Sequence, residues 1–178
     1  MSSMLIRAFA FAAEKHKDQR RKNVEASPYI NHPIALANVL ANEGGIADEN
    51  ILCAAILHDT IEDTNTSADE LRATFGEKIA SIVLEVTDDK SISDKAVRKQ
   101  LQIEHAPHIS VEAKQVKLAD KISNLRDILS SPPDGWSADR KQAYFDWAQA
   151  VIAGVRGTNP KLEAIFDDLV AKNKAINP

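Results

Sequence analysis

Apolar residues recur at helical spacing along the whole of this chain, and strict alternation of apolar with polar residues is nowhere sustained. Such spacing favours amphipathic helices over β-strands. Glycine and proline, the residues that most often interrupt helices, number only 6 and 7 among the 178 residues. We therefore predict an all-α fold in which about eight to ten helices form a bundle.

Capping and helix-breaking residues set the predicted helix boundaries. Asp48 is a favourable N-cap for a helix that continues through His58 and Asp59 to Asp63. We find no internal repeat, low-complexity segment or shift in composition, and we therefore expect residues 1–178 to form a single domain. The other predicted helices cover residues 3 to about 17, Pro33 to Gly44, 67–75, 77–87, 94–105, 110–131, 137–154 and 160–174.

The charge balance gives the chain no general attraction to polyanions. It carries 22 basic and 26 acidic residues, a formal net charge of −4 at pH 7. The chain has no net positive charge that would attract it to nucleic acid or to an anionic membrane surface, so we predict neither as a partner. An anionic small molecule must then be bound by a local cluster of basic residues.

The single cysteine and the apolar runs limit the compartment and the kinds of site. Cys53 alone excludes an internal disulfide and a thiolate metal site, and its apolar neighbours predict a small buried thiol. The N-terminal residues lack a basic segment followed by a long apolar stretch, and no run approaches the roughly 18 apolar residues needed to cross a bilayer. We expect a soluble protein in the cytoplasm.

The segment richest in chemical groups contains four potential ligands or proton carriers, His58, Asp59, Glu62 and Asp63. On a regular helix these side chains lie on one side of the last two turns. Three carboxylates this close repel one another, and acidic residues are unfavourable at the negative end of a helix dipole. The segment is therefore either a solvated acidic helix end or part of a metal site, where a bound cation removes the repulsion.

His58 and Asp59 supply only two ligands, and His32 and Asp120 are candidates for the others. His32 precedes a proline at a predicted helix start, where its ring can extend past the end of the helix. Taken singly, His32 is better explained as a hydrogen-bonded capping histidine, and Asp120 as an exposed helix acid paired with Lys117. An apolar stripe runs beside the polar stripe of the Asp120 helix and comprises Leu118, Ile122 and Leu125.

Taken together, these residues form an ordered His…His-Asp…Asp pattern, and on this pattern the sequence resembles the HD superfamily of metal-dependent phosphohydrolases. Within that superfamily it is similar to the (p)ppGpp hydrolase domain of the RelA/SpoT family, in particular to the small single-domain members of the metazoan SpoT homolog type. The resemblance implies an HD-domain helical bundle. The matching segments are Arg20–Lys22, Pro28–Pro33, Ala54–Thr64, Phe75–Gly76, Glu85–Lys90, Lys117–Lys121, Asn124–Asp127, Gly135–Ser137, and Tyr144, Phe145 and Trp147.

The resemblance also implies a reaction, hydrolysis of the 3′-pyrophosphate of ppGpp or pppGpp to GDP or GTP and pyrophosphate. One divalent ion, usually Mn²⁺, would polarise a phosphoryl oxygen and lower the pKa of its bound water. Glu62 and Asp63 are then placed to orient that water or accept its proton. The ligands implied for the ion are His32, His58, Asp59 and Asp120.

Residues that contact the nucleotide are implied in the same way. Tyr144 is explained equally well as part of the core, because it lies in an aromatic segment. The family often has Asp and Thr where this chain has Asn23 and Ser27, and neither is a metal or catalytic position. The implied substrate-binding residues are Lys22, Asn124 and Tyr144, with Arg21, Lys95 and Arg140 as further phosphate partners.

Two other functions are compatible with the sequence. One is an HD phosphohydrolase that acts on a different nucleotide, such as the 2′-phosphate of NADPH, since the same ion and water serve either ester. The other is a non-catalytic module that binds a nucleotide as a regulator. The presence of Glu62 and Asp63 argues against the second, because a silent relative has no chemical need for them. The sequence does not specify an oligomeric state.

Overall fold

The computed structural model describes residues 3–176, which contain ten α-helical segments and no β-strand. The all-α prediction is therefore confirmed, and the number of helices lies within the predicted range. A π-helical segment, Val39–Glu43, continues the second helix. The helices are α1 (Ser3–Lys15), α2 (Asn31–Asn38), α3 (Glu49–Leu57), α4 (Thr60–Asp63), α5 (Ala68–Phe75), α6 (Glu77–Val86), α7 (Lys95–His105), α8 (Val111–Ser130), α9 (Ala138–Ala153) and α10 (Pro160–Ile176).

The long helix α8 forms the centre of the bundle and packs against α2, α3, α6, α9 and α10. Its predicted apolar stripe is confirmed, because Leu118, Ile122 and Leu125 are completely buried. Burial extends beyond that stripe, and Lys117 and Lys121 are also buried. A helix enclosed on several sides has little free surface for its polar side chains, so those side chains point into the interior or into a cavity.

The helix predicted from Asp48 to Asp63 is interrupted, and the prediction of one regular helix was wrong. α3 ends at Leu57, and the single turn α4 begins at Thr60. The Thr60 hydroxyl donates to the Leu57 carbonyl at 2.6 Å, and His58 Nδ1 donates to the Ala55 carbonyl at 2.8 Å. Side chains that occupy helix carbonyls in this way bend or break a helix. His58 and the residue after it therefore lie in a turn.

The second predicted helix differs from the prediction at both ends. It begins at Asn31 rather than Pro33, and the proline occupies the first turn, where its missing N–H has no intrahelical partner to lose. Its last turn is π-helical and ends at Gly44, whose N–H donates to the Val39 carbonyl at 2.8 Å. The stop at glycine was predicted, but the change of helix type was not.

Helix α7 differs from the others because none of its residues is buried. It packs mainly against α9, where Trp147 Nε1 donates to the Lys99 carbonyl at 3.1 Å. Gln102 Nε2 donates to Asp88 at 2.6 Å, and the Asp94 side chain caps the N-terminus of the helix. Polar contacts therefore provide much of the attachment of α7 to the bundle.

Cys53 is buried, as its apolar neighbours predicted. None of the helices within residues 3–176 combines the length with the apolar character that a membrane span requires.

Removal of the Phe166 side chain tests the packing of the core. Phe166 of α10 is completely buried, so its truncation in Phe166→Ala should lower the free energy of unfolding by about 3–5 kcal/mol. Ile6 of α1 is 54% exposed and serves as the control, because Ile6→Ala should change stability by less than about 0.5 kcal/mol. Urea denaturation measures both variants. Similar midpoints for the two would contradict the assigned core.

Candidate metal centre and adjoining cavity

Three helical segments bring His32, His58 and Asp120 together. His32 lies in the first turn of α2, His58 follows α3, and Asp120 lies in the middle of α8. One ligand atom from each of the three lies within 4.8 Å of the others. His32 Nε2 is 3.1 Å and His58 Nε2 is 3.9 Å from Asp120 Oδ1. Two imidazoles and a carboxylate at this spacing form a candidate site for a divalent cation.

The orientation of His58 fits a bound cation. Its Nδ1 donates to the Ala55 carbonyl, so Nε2 is the ring nitrogen directed into the cluster. That Nε2 atom is buried and has no aligned hydrogen-bond partner among the described residues, although Asp59 Oδ2 is 2.8 Å away. A buried ring nitrogen without an aligned partner is costly, and a cation that replaces its proton supplies one. The residues present therefore fit a divalent ion.

Asp120 is held by neighbours on its own helix. Asn124 Nδ2 donates to Asp120 Oδ1 at 2.7 Å, and Lys121 Nζ lies 3.0 Å from Asp120 Oδ2. The alternative interpretation of Asp120, an exposed acid paired with Lys117, is wrong, because its side chain is only 18% exposed and its lysine partner is Lys121. The side-chain amide and the ammonium fix the carboxylate before any cation binds.

Asp59 lies beside the three-residue cluster and contacts a residue to which the sequence assigned no role. The Tyr29 hydroxyl donates a short hydrogen bond to Asp59 Oδ2, and the Tyr29 ring lies 4.8 Å from the ring of His16. Tyr29 therefore orients the carboxylate that follows His58. Asp59 as a fourth ligand stays a prediction.

Opposite charges around the cluster shift the pKa values of its members. Burial disfavours the charged form of His58, but the carboxylates of Asp59 and Asp120 outweigh burial and raise its pKa to about 9. Burial likewise opposes ionisation of Asp120, yet Lys121 and the two histidines hold its pKa well below the usual range. A cation that enters the site must therefore displace a proton from the His58 ring.

The two predicted catalytic carboxylates have different surroundings. Glu62 Oε2 accepts a hydrogen bond from the backbone N–H of Asp88 at 3.2 Å, and burial raises the pKa of Glu62 to about 7. Asp63 forms an ion pair with Lys90 and accepts a hydrogen bond from Gln19 Nε2 at 3.2 Å. A proton acceptor needs a pKa near the working pH and a free oxygen. Glu62 meets that requirement better than Asp63.

Two cavities that share several lining residues adjoin the cluster. The smaller has a volume of about 340 Å³ and is lined by the cluster and Glu62, and the larger has a volume of about 640 Å³. Lys22, Asn124 and Tyr144 line both, so the structure brings these predicted substrate residues to the site. Arg21 also lines both cavities and forms an ion pair with Asp127.

Two of the predicted phosphate partners lie farther away. Lys95 is exposed at the start of α7 and lines none of the cavities described here. Arg140 is also exposed, and its guanidinium lies 4.5 Å from the ring centre of Trp136, which lines the larger cavity. The structure therefore brings Arg140 to the rim but does not bring Lys95 into the site.

The sequence analysis assigned no site role to Tyr29, Lys117 or Lys121. All three line the smaller cavity. Each belongs to a segment that carries the family resemblance, and that membership was the available signal. Their roles depend on contacts between α8, α2 and the turn after α3, which local spacing does not reveal.

A helical bundle with a buried His/Asp cluster at the base of a polar cavity defines a class of metal-dependent hydrolase. The chain belongs to the HD domain family, whose sequence profile matches residues 8–146. The family membership predicted from the ordered motifs is thereby confirmed.

Two relatives align with the chain over almost their whole length. It is 54% identical over 168 residues to guanosine-3′,5′-bis(diphosphate) 3′-pyrophosphohydrolase MESH1 of Xenopus tropicalis, and 53% identical over 168 residues to the protein of the same name from Homo sapiens. Each alignment covers 94% of this chain and 93% of the relative. A solved structure of a metazoan ortholog of SpoT that hydrolyzes ppGpp superposes with a TM-score of 0.93 at 44% identity, covering 97% of this chain and 96% of that one.

Substitution of Asp120 tests the cation site. Asp120→Asn keeps the size of the side chain but removes the charge that a cation needs, so bound divalent metal should fall by at least about tenfold while the helical content is unchanged. Glu112 lies on the same helix in an exposed ion pair with Lys78 and gives the matched control, Glu112→Gln. Elemental analysis and circular dichroism measure the two variants. Full metal content in Asp120→Asn would remove Asp120 from the site.

Proposed function

We propose that this chain hydrolyses the 3′-pyrophosphate of ppGpp or pppGpp, giving GDP or GTP and pyrophosphate. The observation that carries the proposal is the placement of Glu62 in the same small cavity as His32, His58 and Asp120. The relatives named as 3′-pyrophosphohydrolases, which align over 94% of the chain, support the choice of reaction.

The proposed cofactor is one Mn²⁺ ion held by His32, His58 and Asp120, with Asp59 as the fourth ligand. Mixed imidazole and carboxylate donors suit manganese, iron or zinc, so the choice of manganese comes from the family resemblance rather than from the ligand types. When bound, such an ion polarises a phosphoryl oxygen and favours deprotonation of water at neutral pH.

The protein side chains perform the remaining steps. Glu62 accepts the proton of the attacking water, while the Asp88 N–H fixes the position of the Glu62 carboxylate. Arg21 and Lys22 line both cavities and offset the negative charge of the phosphates. The water oxygen bonds to the phosphorus next to the ribose 3′-oxygen while the bond from that phosphorus to the 3′-oxygen breaks, and the 3′-oxygen takes up a proton as GDP or GTP and pyrophosphate leave. Holding Glu62 and the phosphates in one cavity lowers the entropy cost of assembling them from solution.

We further propose that residues 1–178 act as one hydrolase domain. Helix α10 follows the segment that matches the family profile, but it packs directly on α8, the helix that carries Asp120. Because the substrate is a nucleotide of the cell interior, we place the activity in the cytoplasm. The absence of a nucleic-acid partner stays a prediction from the net charge.

A substrate panel tests the proposed reaction. The purified protein, loaded with Mn²⁺, is assayed against ppGpp, pppGpp, NADPH and deoxynucleoside triphosphates, with release of pyrophosphate and of phosphate measured separately. We expect pyrophosphate release from ppGpp and pppGpp. Preferred phosphate release from NADPH would favour the alternative phosphohydrolase, and binding of ppGpp without turnover would favour the regulator.

Glu62→Gln separates chemistry from binding. The variant keeps the shape of the side chain but removes the proton-accepting oxygen, so kcat for ppGpp should fall by about 10²–10⁴-fold with little change in metal content. Glu104→Gln is the control, because Glu104 is exposed on α7 and lines none of the three cavities. Single-turnover hydrolysis and metal analysis are run on the same preparations. Loss of metal from Glu62→Gln would make Glu62 a ligand instead.

The pH dependence of kcat should show the ionisation of Glu62. The group is active when deprotonated and its pKa is raised to about 7 in the protein without a cation, so activity must fall as the pH decreases. A bound cation stabilises the carboxylate and lowers that value, which places the midpoint at or below pH 7. Excess Mn²⁺ relieves competition by protons for the histidines but leaves this midpoint unchanged. If excess Mn²⁺ restored full activity at acidic pH, the assignment of the acid-side midpoint to Glu62 would be contradicted.

A further inference from the structure

Helix α8 presents two buried lysines, Lys117 and Lys121, one turn apart on the wall of the smaller cavity. Lys117 is only 7% exposed and Lys121 only 4%. Lysine is rarely buried to this extent unless its ammonium is paired. The partners of the two ammonium groups therefore indicate what each lysine does.

The two lysines differ in their partners. Lys121 Nζ lies 3.0 Å from Asp120 Oδ2 and 4.4 Å from the ring centre of Trp147, so its charge is balanced within the protein. Lys117 Nζ has no hydrogen bond and no ion pair among residues 3–176. Glu62 and Asp88 line the same cavity, but neither carboxylate is within ion-pair distance of Lys117.

An unpaired ammonium in this position carries a large desolvation cost. Burial and the repulsion from Lys121 together lower the pKa of Lys117 to about 8, and the group is still largely charged at neutral pH. The carboxylates of Asp120, Asp88 and Glu62 attract the ammonium without forming an ion pair and offset this cost only in part, so an anion that enters the cavity would stabilise the ammonium further. We therefore expect an anionic group of the ligand to pair with Lys117.

The position of Lys117 relative to the cluster defines the ligand. Asp120 and Lys117 are three residues apart on α8, a rise of about 4.5 Å along the helix axis. Both line the smaller cavity together with His32, His58 and Glu62. A ligand with one phosphoryl group at the cluster and an adjoining anionic group beside the ammonium would span this step. A pyrophosphate has that second group, and a monophosphate ester does not.

We propose that Lys117 binds the distal phosphoryl group of a pyrophosphate whose proximal phosphoryl group lies at the His32, His58 and Asp120 cluster. This inference rests on the proposed function and deepens it, because it assigns recognition of the second phosphoryl group of the pyrophosphate to one side chain. The bound pyrophosphate belongs either to the substrate or to the released product, and the same contact serves both.

Lys117→Met is the informative variant, because methionine fills the buried volume without a charge. A hydrogen bond to a charged group accounts for about tenfold to hundredfold in affinity. We expect kcat/KM for ppGpp to fall by about that factor and the inhibition constant of inorganic pyrophosphate to rise equally at a fixed free Mn²⁺ concentration. Inhibition by inorganic phosphate should change by less than about threefold, because phosphate occupies only the proximal position.

Two further variants complete the test. Lys114→Met removes a lysine one turn earlier on α8 that lines none of the cavities, and it should leave all three constants unchanged. Lys117→Arg retains the charge and should retain most of the pyrophosphate affinity. The Lys117→Met protein should unfold at the same or a higher temperature, because an unpaired buried charge is removed.

The outcomes separate this inference from the proposed function. If Lys117→Met weakened the binding of phosphate and of pyrophosphate equally, the inference would be overturned. Lys117 would then act only by balancing the charges of Glu62 and Asp88. Unchanged pyrophosphate inhibition would also overturn the inference. If the wild type does not hydrolyse ppGpp, the proposed function fails, while direct calorimetric titration of pyrophosphate against phosphate still tests the contact in Lys117→Met and Lys114→Met.

Discussion

The contact of His32 with Asp120, 3.1 Å between Nε2 and Oδ1, joins α2 to the central helix α8 at the base of the cavity. A buried carboxylate between two imidazoles is unfavourable unless its charge is balanced, and Lys121, the next residue of α8, and Asn124, one turn further along, provide its partners. The apolar packing on the other sides of α8 holds these groups in place. The position of the metal ligands is thus a consequence of how the core encloses one helix.

The site contains carboxylates with opposite tendencies to ionise. Asp120 is buried beside Lys121 and the histidines, and its pKa is depressed despite the burial. Glu62 is partly buried, faces Asp88 and the other acidic groups, and has a pKa raised to about 7. A carboxylate that stays charged can bind a cation, and one that titrates near neutral pH can move a proton. Distance from the lysine and the imidazoles decides between the two behaviours.

Much of the fold and part of the site could be predicted from the sequence. Helical periodicity and the scarcity of glycine and proline gave the all-α class, and the ordered motifs gave His32, His58 and Asp120 as neighbours. The interruption after α3 was missed, because it arises from side-chain hydrogen bonds of His58 and Thr60 to helix carbonyls that compete with the regular helix pattern.

The roles of Tyr29 and Lys117 were missed for a different reason. Tyr29 reaches Asp59 across a long stretch of sequence, and no local pattern specifies that contact. Lys117 has the spacing of a surface residue on an amphipathic helix, but α8 is packed on so many sides that its polar stripe faces a cavity. Periodicity identifies which residues share a face of a helix, whereas the packing of the whole bundle determines what that face meets.

Because α7 is attached largely by polar contacts, the part of the smaller cavity that it lines opens more easily than the rest of the bundle. Because none of its residues is fully buried, with Ile103 only partly buried against the core, separation of α7 from the bundle exposes less apolar surface than separation of α8 would. Its backbone amides therefore exchange with solvent through openings that depend weakly on denaturant, whereas those of α8 exchange only when the core unfolds. Gln102, which lines the smaller cavity, belongs to this easily opened part of the chain, and the metal ligands belong to the part that opens last.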